Sequence, residues 1–137
     1  MADAPLRILI VDDEAPSRRR LRDLFDDCAE SLPLTVVGEA ANGVDALEVL
    51  HLITADLVVT DIRMPDMDGR ALYQEIERRW PGQGARVVFV TGDTLTTASR
   101  DFVAACGRPV IEKPFLPSEV RRVVAELAGE VQRAPDR

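Results

Sequence analysis

Five short apolar runs, each followed by an amphipathic stretch, alternate through almost the whole of this 137-residue chain. That alternation constrains the fold more than any other feature. Parallel strands cannot be joined by tight turns, and a strand–helix–strand unit returns the chain to the same edge of the sheet. Its repetition predicts an α/β fold, a parallel sheet with helices on both faces. The strands are expected at Leu6–Val11, Leu34–Ala40, 57–60, 87–90 and 110–111. The third is apolar through its core, as a strand covered on both faces should be. Pro109 before the fifth suits an edge, where a missing N–H is tolerated.

The intervening stretches carry helical spacing. Pro16 opens the first, where its absent N–H would be unpaired anyway, and Leu21, Leu24, Phe25 and Cys28 form one apolar stripe. Asn42 is placed to cap the second, with Val44, Leu47 and Leu50 expected to point inward. Leu72, Ile76 and Trp80 mark the third, stopped by Pro81-Gly82. Leu95, Ala98, Phe102 and Cys106 line the fourth, and Val120, Val123, Val124, Leu127 and Val131 the fifth. One domain is expected over 6–132, with short tails at 1–5 and 133–137.

Composition narrows the function classes. Apolar residues make up 46% and charged residues 30%, as in folded soluble domains. The net charge of -7 disfavours non-specific nucleic-acid binding, because an acidic surface repels phosphate backbones. No apolar run approaches the ~20 residues that span a bilayer, and the first residues lack the basic start of a secretory signal. A cytoplasmic location without membrane contact is therefore expected. Cys28 and Cys106, far apart in apolar neighbourhoods, read as reduced packing residues.

In open parallel sheets, ligands bind beyond the carboxyl ends of the strands. There the sequence places Asp12, Asp13 and Glu14 after the first strand, Asp61 after the third, Thr91 at the end of the fourth and Lys113 at the end of the fifth. Packing does not call for this set, since crowded carboxylates oppose one another's ionisation. A hard divalent cation relieves the repulsion, and Mg²⁺ takes one or two carboxylates together with waters and phosphate oxygens. A free carboxylate could then attack phosphorus while Lys113 and Thr91 hold phosphoryl oxygens, chemistry that leads to an aspartyl phosphate.

Four segments resemble the receiver domain of two-component response regulators: Val-Asp-Asp-Glu at 11–14, Val-Val-Thr-Asp-Ile-Arg-Met-Pro-Asp-Met-Asp-Gly at 58–69, Val-Thr-Gly at 90–92 and Glu-Lys-Pro-Phe at 112–115. They cover nearly the whole chain, in order and at the family's spacing. The resemblance implies a flavodoxin-like, five-stranded sheet in the order 2-1-3-4-5. It implies that Asp61 is the phosphoacceptor and that Asp12, Asp13, Asp61 and the backbone carbonyl of Arg63 hold Mg²⁺. Thr91 is then the switch hydroxyl, Lys113 the cation that neutralises the phosphoryl group, and Pro114 follows a cis peptide bond. Arg63 and Asp93 take the positions that flank the phosphoryl group in receivers and tune its lifetime. The sequence departs from the family at Val110, where many receivers carry the Tyr or Phe of an aromatic switch, and in the tight connection Gly107-Arg108-Pro109.

The expected activity is a phosphorylation-controlled switch, fed by a sensor histidine kinase or a histidine phosphotransfer protein, rather than a turnover enzyme. The chain reads as a stand-alone receiver or one excised from a hybrid histidine kinase. Two other readings stand beside it: an aspartate-dependent phosphatase of the haloacid dehalogenase type, with Asp12 as nucleophile and Glu14 as acid, and an inactive scaffolding receiver. Arg18, Arg19, Arg20 and Arg22 read as a solvated face or, more sharply, as a docking patch for an acidic kinase surface. His51 receives no role.

Overall fold

Every residue of the third and fourth strands, β3 (Leu57–Asp61) and β4 (Val87–Thr91), is buried. In the computed structural model, which describes residues 5–92 and 97–133, they are the inner strands of one sheet with β1 (Leu6–Val11), β2 (Leu34–Ala40) and β5 (Val110–Glu112). All pairings are parallel and the order is 2-1-3-4-5. Pro109 enters the edge strand β5, as expected.

Side chains that alternate along a strand face opposite sides of the sheet. Ile8, Ile10, Val59, Val88 and Val90 pack on one side with α1 (Ala15–Cys28) and α5 (Pro117–Arg133). Leu9, Val11, Val58, Val87 and Phe89 pack on the other with α2 (Gly43–Leu52), α3 (Gly69–Arg79) and α4 (Thr97–Cys106). The stripe Leu21, Leu24, Phe25 and Cys28 on α1 is entirely buried. Large apolar side chains of this kind contribute about 1.5–3 kcal/mol each. No helix among the described residues is long and apolar enough to cross a membrane.

Several local expectations are corrected. Val44 does not point inward; it is 44% exposed. Asn42 caps α2 by accepting the Asp45 N–H at 2.9 Å, and the inward face starts at Gly43 and continues through Ala46 and Leu47, one position out of phase with Val44. α4 buries no residue fully: Ala98 is exposed, while Phe102 and Cys106 are half-buried. The sheet ends beside it in the three-residue β5, so little apolar surface is left for the helix to cover. Leu95 and the Val131 side chain lie outside the described residues. Trp80 is half-buried and caps α3, and a 3₁₀ turn, Gln83–Arg86, leads into β4 after Gly82 takes a left-handed φ of 90°. Strands β3, β4 and β5 each run one residue further than expected, so that Asp61 and Thr91 are themselves strand residues.

Candidate functional site

Parallel pairing delivers the strand ends to one edge in register. Asp61 lies level with Val90 on β4, and Thr91 lies level with Glu112 on β5. Beyond the strands the ladder continues, with Ile62 N–H donating to Val90 O at 3.1 Å and Lys113 N–H to Thr91 O at 2.8 Å. Asp12 follows β1 directly, its N–H bonded to Ala40 O at 3.0 Å. The pairing therefore gathers Asp12, Asp61, Thr91 and Lys113 from four strands at one rim.

Oxygens of Asp12, Asp13, Glu14 and Asp61 lie within 4.8 Å of one another. Asp12 is fully buried and Asp61 is 6% exposed, while Asp13 and Glu14 face solvent. Lys113 reaches into the cluster: its Nζ stands 3.2 Å from Asp12 Oδ2, 3.5 Å from Asp61 Oδ2 and 3.6 Å from Glu14 Oε1. Asp12 Oδ1 accepts the Glu14 N–H at 2.9 Å. Asp12 Oδ2 is buried and, among the described residues, accepts no hydrogen bond of good geometry.

The charges do not balance. Burial, reinforced by the Asp12 carboxylate, pushes the Asp61 carboxyl up to about 6, although Lys113 and the Arg63 backbone N–H both favour its ionised form. Burial alone would lower the Lys113 ammonium, but Asp61, Asp12 and Glu14 outweigh it and hold the group above its ordinary value. One cation among four carboxylates leaves a net demand for positive charge. An all-oxygen donor set with an under-used buried carboxylate oxygen suits Mg²⁺, which prefers carboxylates supplemented by water and phosphate oxygens. An open cleft of about 390 Å³, lined by Asp13, Ile62, Arg63, Met64, Pro65, Asp68 and Ser99, adjoins the acids.

The loop after Asp61 is pinned from both ends. Asp68 caps α3 by accepting the Ala71 N–H at 2.8 Å, and Gly69 N–H donates to Ile62 O at 2.8 Å. A Cβ at Gly69 would press on the Asp61 carbonyl oxygen and stand 2.9 Å from Ile62 Cα, so only glycine allows this return. Asp66 takes a left-handed φ of 64° in the turn, a conformation Asp tolerates better than most residues. The Lys113–Pro114 peptide is cis, as the resemblance implies.

Other sequence expectations fare differently. Arg63 is exposed on the β3–α3 loop, and Asp93, the other expected tuning residue, lies outside the described residues. Val110 leaves β5 without a ring, and it packs on the side where Tyr73, Phe89 and Phe102 form an aromatic trio with centroids 5.6 to 5.9 Å apart. The basic run does not form one free patch. Arg18 and Arg22 both grip Glu39 of β2, with Nε–Oε1 at 3.2 Å and Nη2–Oε2 at 2.7 Å, which leaves Arg19 and Arg20 as its exposed members. Sequence reasoning also missed that Arg18 Nη1 donates to the Asp12 carbonyl at 2.7 Å. The signal was there, an arginine one helical turn after Glu14, but among four arginines nothing singled it out.

Residues 8–125 match the family model of the response regulator receiver domain. The chain belongs to the response regulator receiver family. It is 33% identical to the chemotaxis protein CheY of Thermotoga maritima over 114 residues, covering 83% of this chain and 90% of that protein. It is 43% identical over 111 residues to a protein-glutamate methylesterase/protein-glutamine glutaminase of Symbiobacterium thermophilum, covering 73% of this chain but only 29% of the relative's length. Among solved structures it resembles a two-component transcriptional regulator AraC from Clostridium phytofermentans, with a TM-score of 0.76, 29% identity, and coverage of 93% of this chain and 96% of that one. The flavodoxin-like strand order is thus that of a receiver domain of two-component systems, and the acid cluster lies within the matched residues.

Proposed function

We propose that this receiver domain accepts a phosphoryl group on Asp61 in a Mg²⁺-dependent reaction and acts as a two-component signalling switch. The observation that carries the reading is the Lys113 ammonium set between the buried carboxylates of Asp12 and Asp61, at 3.2 and 3.5 Å, on the carboxyl edge of the sheet. The donor is a phosphohistidine of a sensor histidine kinase or of a histidine phosphotransfer protein. An Asp61 oxygen attacks phosphorus, the phosphorus–nitrogen bond breaks, and the leaving imidazole takes up a proton. Lys113, already gathered to the rim by three carboxylates, is placed to pair with a phosphoryl oxygen, and Thr91 supplies a hydroxyl from the neighbouring strand end. Asp12, Asp13, Asp61 and the Arg63 carbonyl would hold Mg²⁺, whose chemistry there is to neutralise charge on carboxylate and phosphoryl oxygens. By the receiver resemblance, Arg63 and Asp93 hold the sequence positions that tune how long the acyl phosphate survives.

Incubation with acetyl phosphate and Mg²⁺ tests the reading. The expected product is one phosphoryl group per chain, labile to base and to hydroxylamine as an acyl phosphate is, and none when Mg²⁺ is chelated. Release of phosphate over many rapid turnovers would favour the phosphatase reading, and no labelling at all would favour a scaffold.

A further inference from the structure

We infer that Arg18 is a positioning residue that sets the Asp12 backbone from outside the acid cluster, an inference that rests on the Mg²⁺-dependent reading above. Asp12 is fixed at three points. Its N–H donates to Ala40 O at 3.0 Å, its Oδ1 accepts the Glu14 N–H at 2.9 Å, and its carbonyl accepts from Arg18 Nη1 at 2.7 Å. The first two are local to the strand end and the loop. The third comes from α1 and is the one that ties the loop to a side chain oriented elsewhere.

That orientation comes from Glu39 on β2. Arg18 Nε donates to Glu39 Oε1 at 3.2 Å, and Arg22 Nε holds Glu39 Oε2 at 2.8 Å. The Arg18 guanidinium therefore bridges an edge-strand carboxylate and the carbonyl of a candidate metal-holding residue. Its planar fork can serve both at once, whereas a lysine ammonium, compact and lacking the fork, would keep the charge and lose the fixed geometry. The Arg18 side chain is only 22% exposed, which limits competition from water. With the carbonyl held and Oδ1 engaged, Asp12 Oδ2 is left directed at Lys113 and the rim. Arg22 serves as an internal control: it shares Glu39 but makes no hydrogen bond to the loop. Groups that orient metal-holding residues through hydrogen bonds change metal affinity about 10–100-fold when removed. A bond to the backbone of such a residue belongs at the lower end.

The test compares wild type, Arg18→Lys and Arg22→Gln by calorimetric Mg²⁺ titration and by amide spectra of the metal-free proteins, with urea unfolding to confirm that each folds. Arg18→Lys should weaken Mg²⁺ about 10-fold and move the amide signals of Asp12, Asp13 and Glu14. Arg22→Gln should leave affinity and those signals close to wild type. Glu39→Gln, with Arg18 intact but less firmly oriented, should give a smaller loss in the same direction. Unchanged affinity in Arg18→Lys, or an equal loss in Arg22→Gln, overturns the inference. If wild type binds no Mg²⁺, the functional reading fails instead. The metal-free spectra then still decide on Arg18, since unmoved signals at 12–14 refute its positioning role.

Discussion

Replacing Asp61 by Asn should stabilise the metal-free protein at neutral pH and leave its stability unchanged in acid. Burial and the Asp12 carboxylate raise the folded-state pKa of Asp61 to about 6, against an ordinary value of 3.8. The folded state therefore binds this proton more tightly than the unfolded chain. Below the unfolded value both states are protonated and the site costs nothing. As pH rises toward the folded value the unfolded chain ionises first, so stability falls, and above it the whole cost is present. A difference of about 2 in pKa corresponds to roughly 3 kcal/mol. Asn reproduces the shape of the neutral acid and carries none of this cost. Urea unfolding at pH 8 should show Asp61→Asn more stable by up to about 3 kcal/mol, a midpoint higher by about 1–3 M. At pH 4 the two proteins should coincide more closely, and saturating Mg²⁺ should restore the wild type selectively at pH 8. Equal stability at pH 8, or a gap as large at pH 4, would refute the reasoning.

Two other perturbations follow from the geometry. Gly69→Ala puts a methyl against the Asp61 carbonyl and Ile62 Cα, so urea unfolding should show a loss of about 1–3 kcal/mol and acetyl phosphate labelling should slow; a neutral substitution would mean the loop relaxes freely. Reversing the exposed pair with Arg19→Glu and Arg20→Glu should slow transfer from a histidine kinase, most at low salt, and spare labelling by acetyl phosphate, since rim charges act mainly on association rate; equal loss with both donors would place these residues in the fold or site instead.

The sheet was legible because its signal is local. Buried parallel strands must be short apolar runs, and runs such as Val58–Val59 and Val87–Val90 have no competing helical pattern. The site was legible for the same reason: strand ends in register bring Asp12, Asp61, Thr91 and Lys113 together whatever the helices do. What failed depended on the phase or depth of a helix. Val44 is apolar at a plausible spacing, yet the Asn42 cap sets a phase that turns it outward. Phe102 and Cys106 read as a core stripe, but the depth of α4's seat depends on how far the sheet extends beneath it, which no helical spacing records. The arginines of α1 were ambiguous because their partners, Glu39 and the Asp12 carbonyl, come from other segments of the chain. Only the fold shows that Arg18 points at the site while Arg19 points away.

The central claim is tested most directly by locating the phosphoryl group. After treatment with acetyl phosphate and Mg²⁺, borohydride reduction converts an aspartyl phosphate to homoserine, and peptide mass spectrometry reads its position. The account predicts homoserine at residue 61 alone, dependent on Mg²⁺. Modification at Asp12 or Asp13, or no reducible acyl phosphate in a protein that binds Mg²⁺, would contradict it.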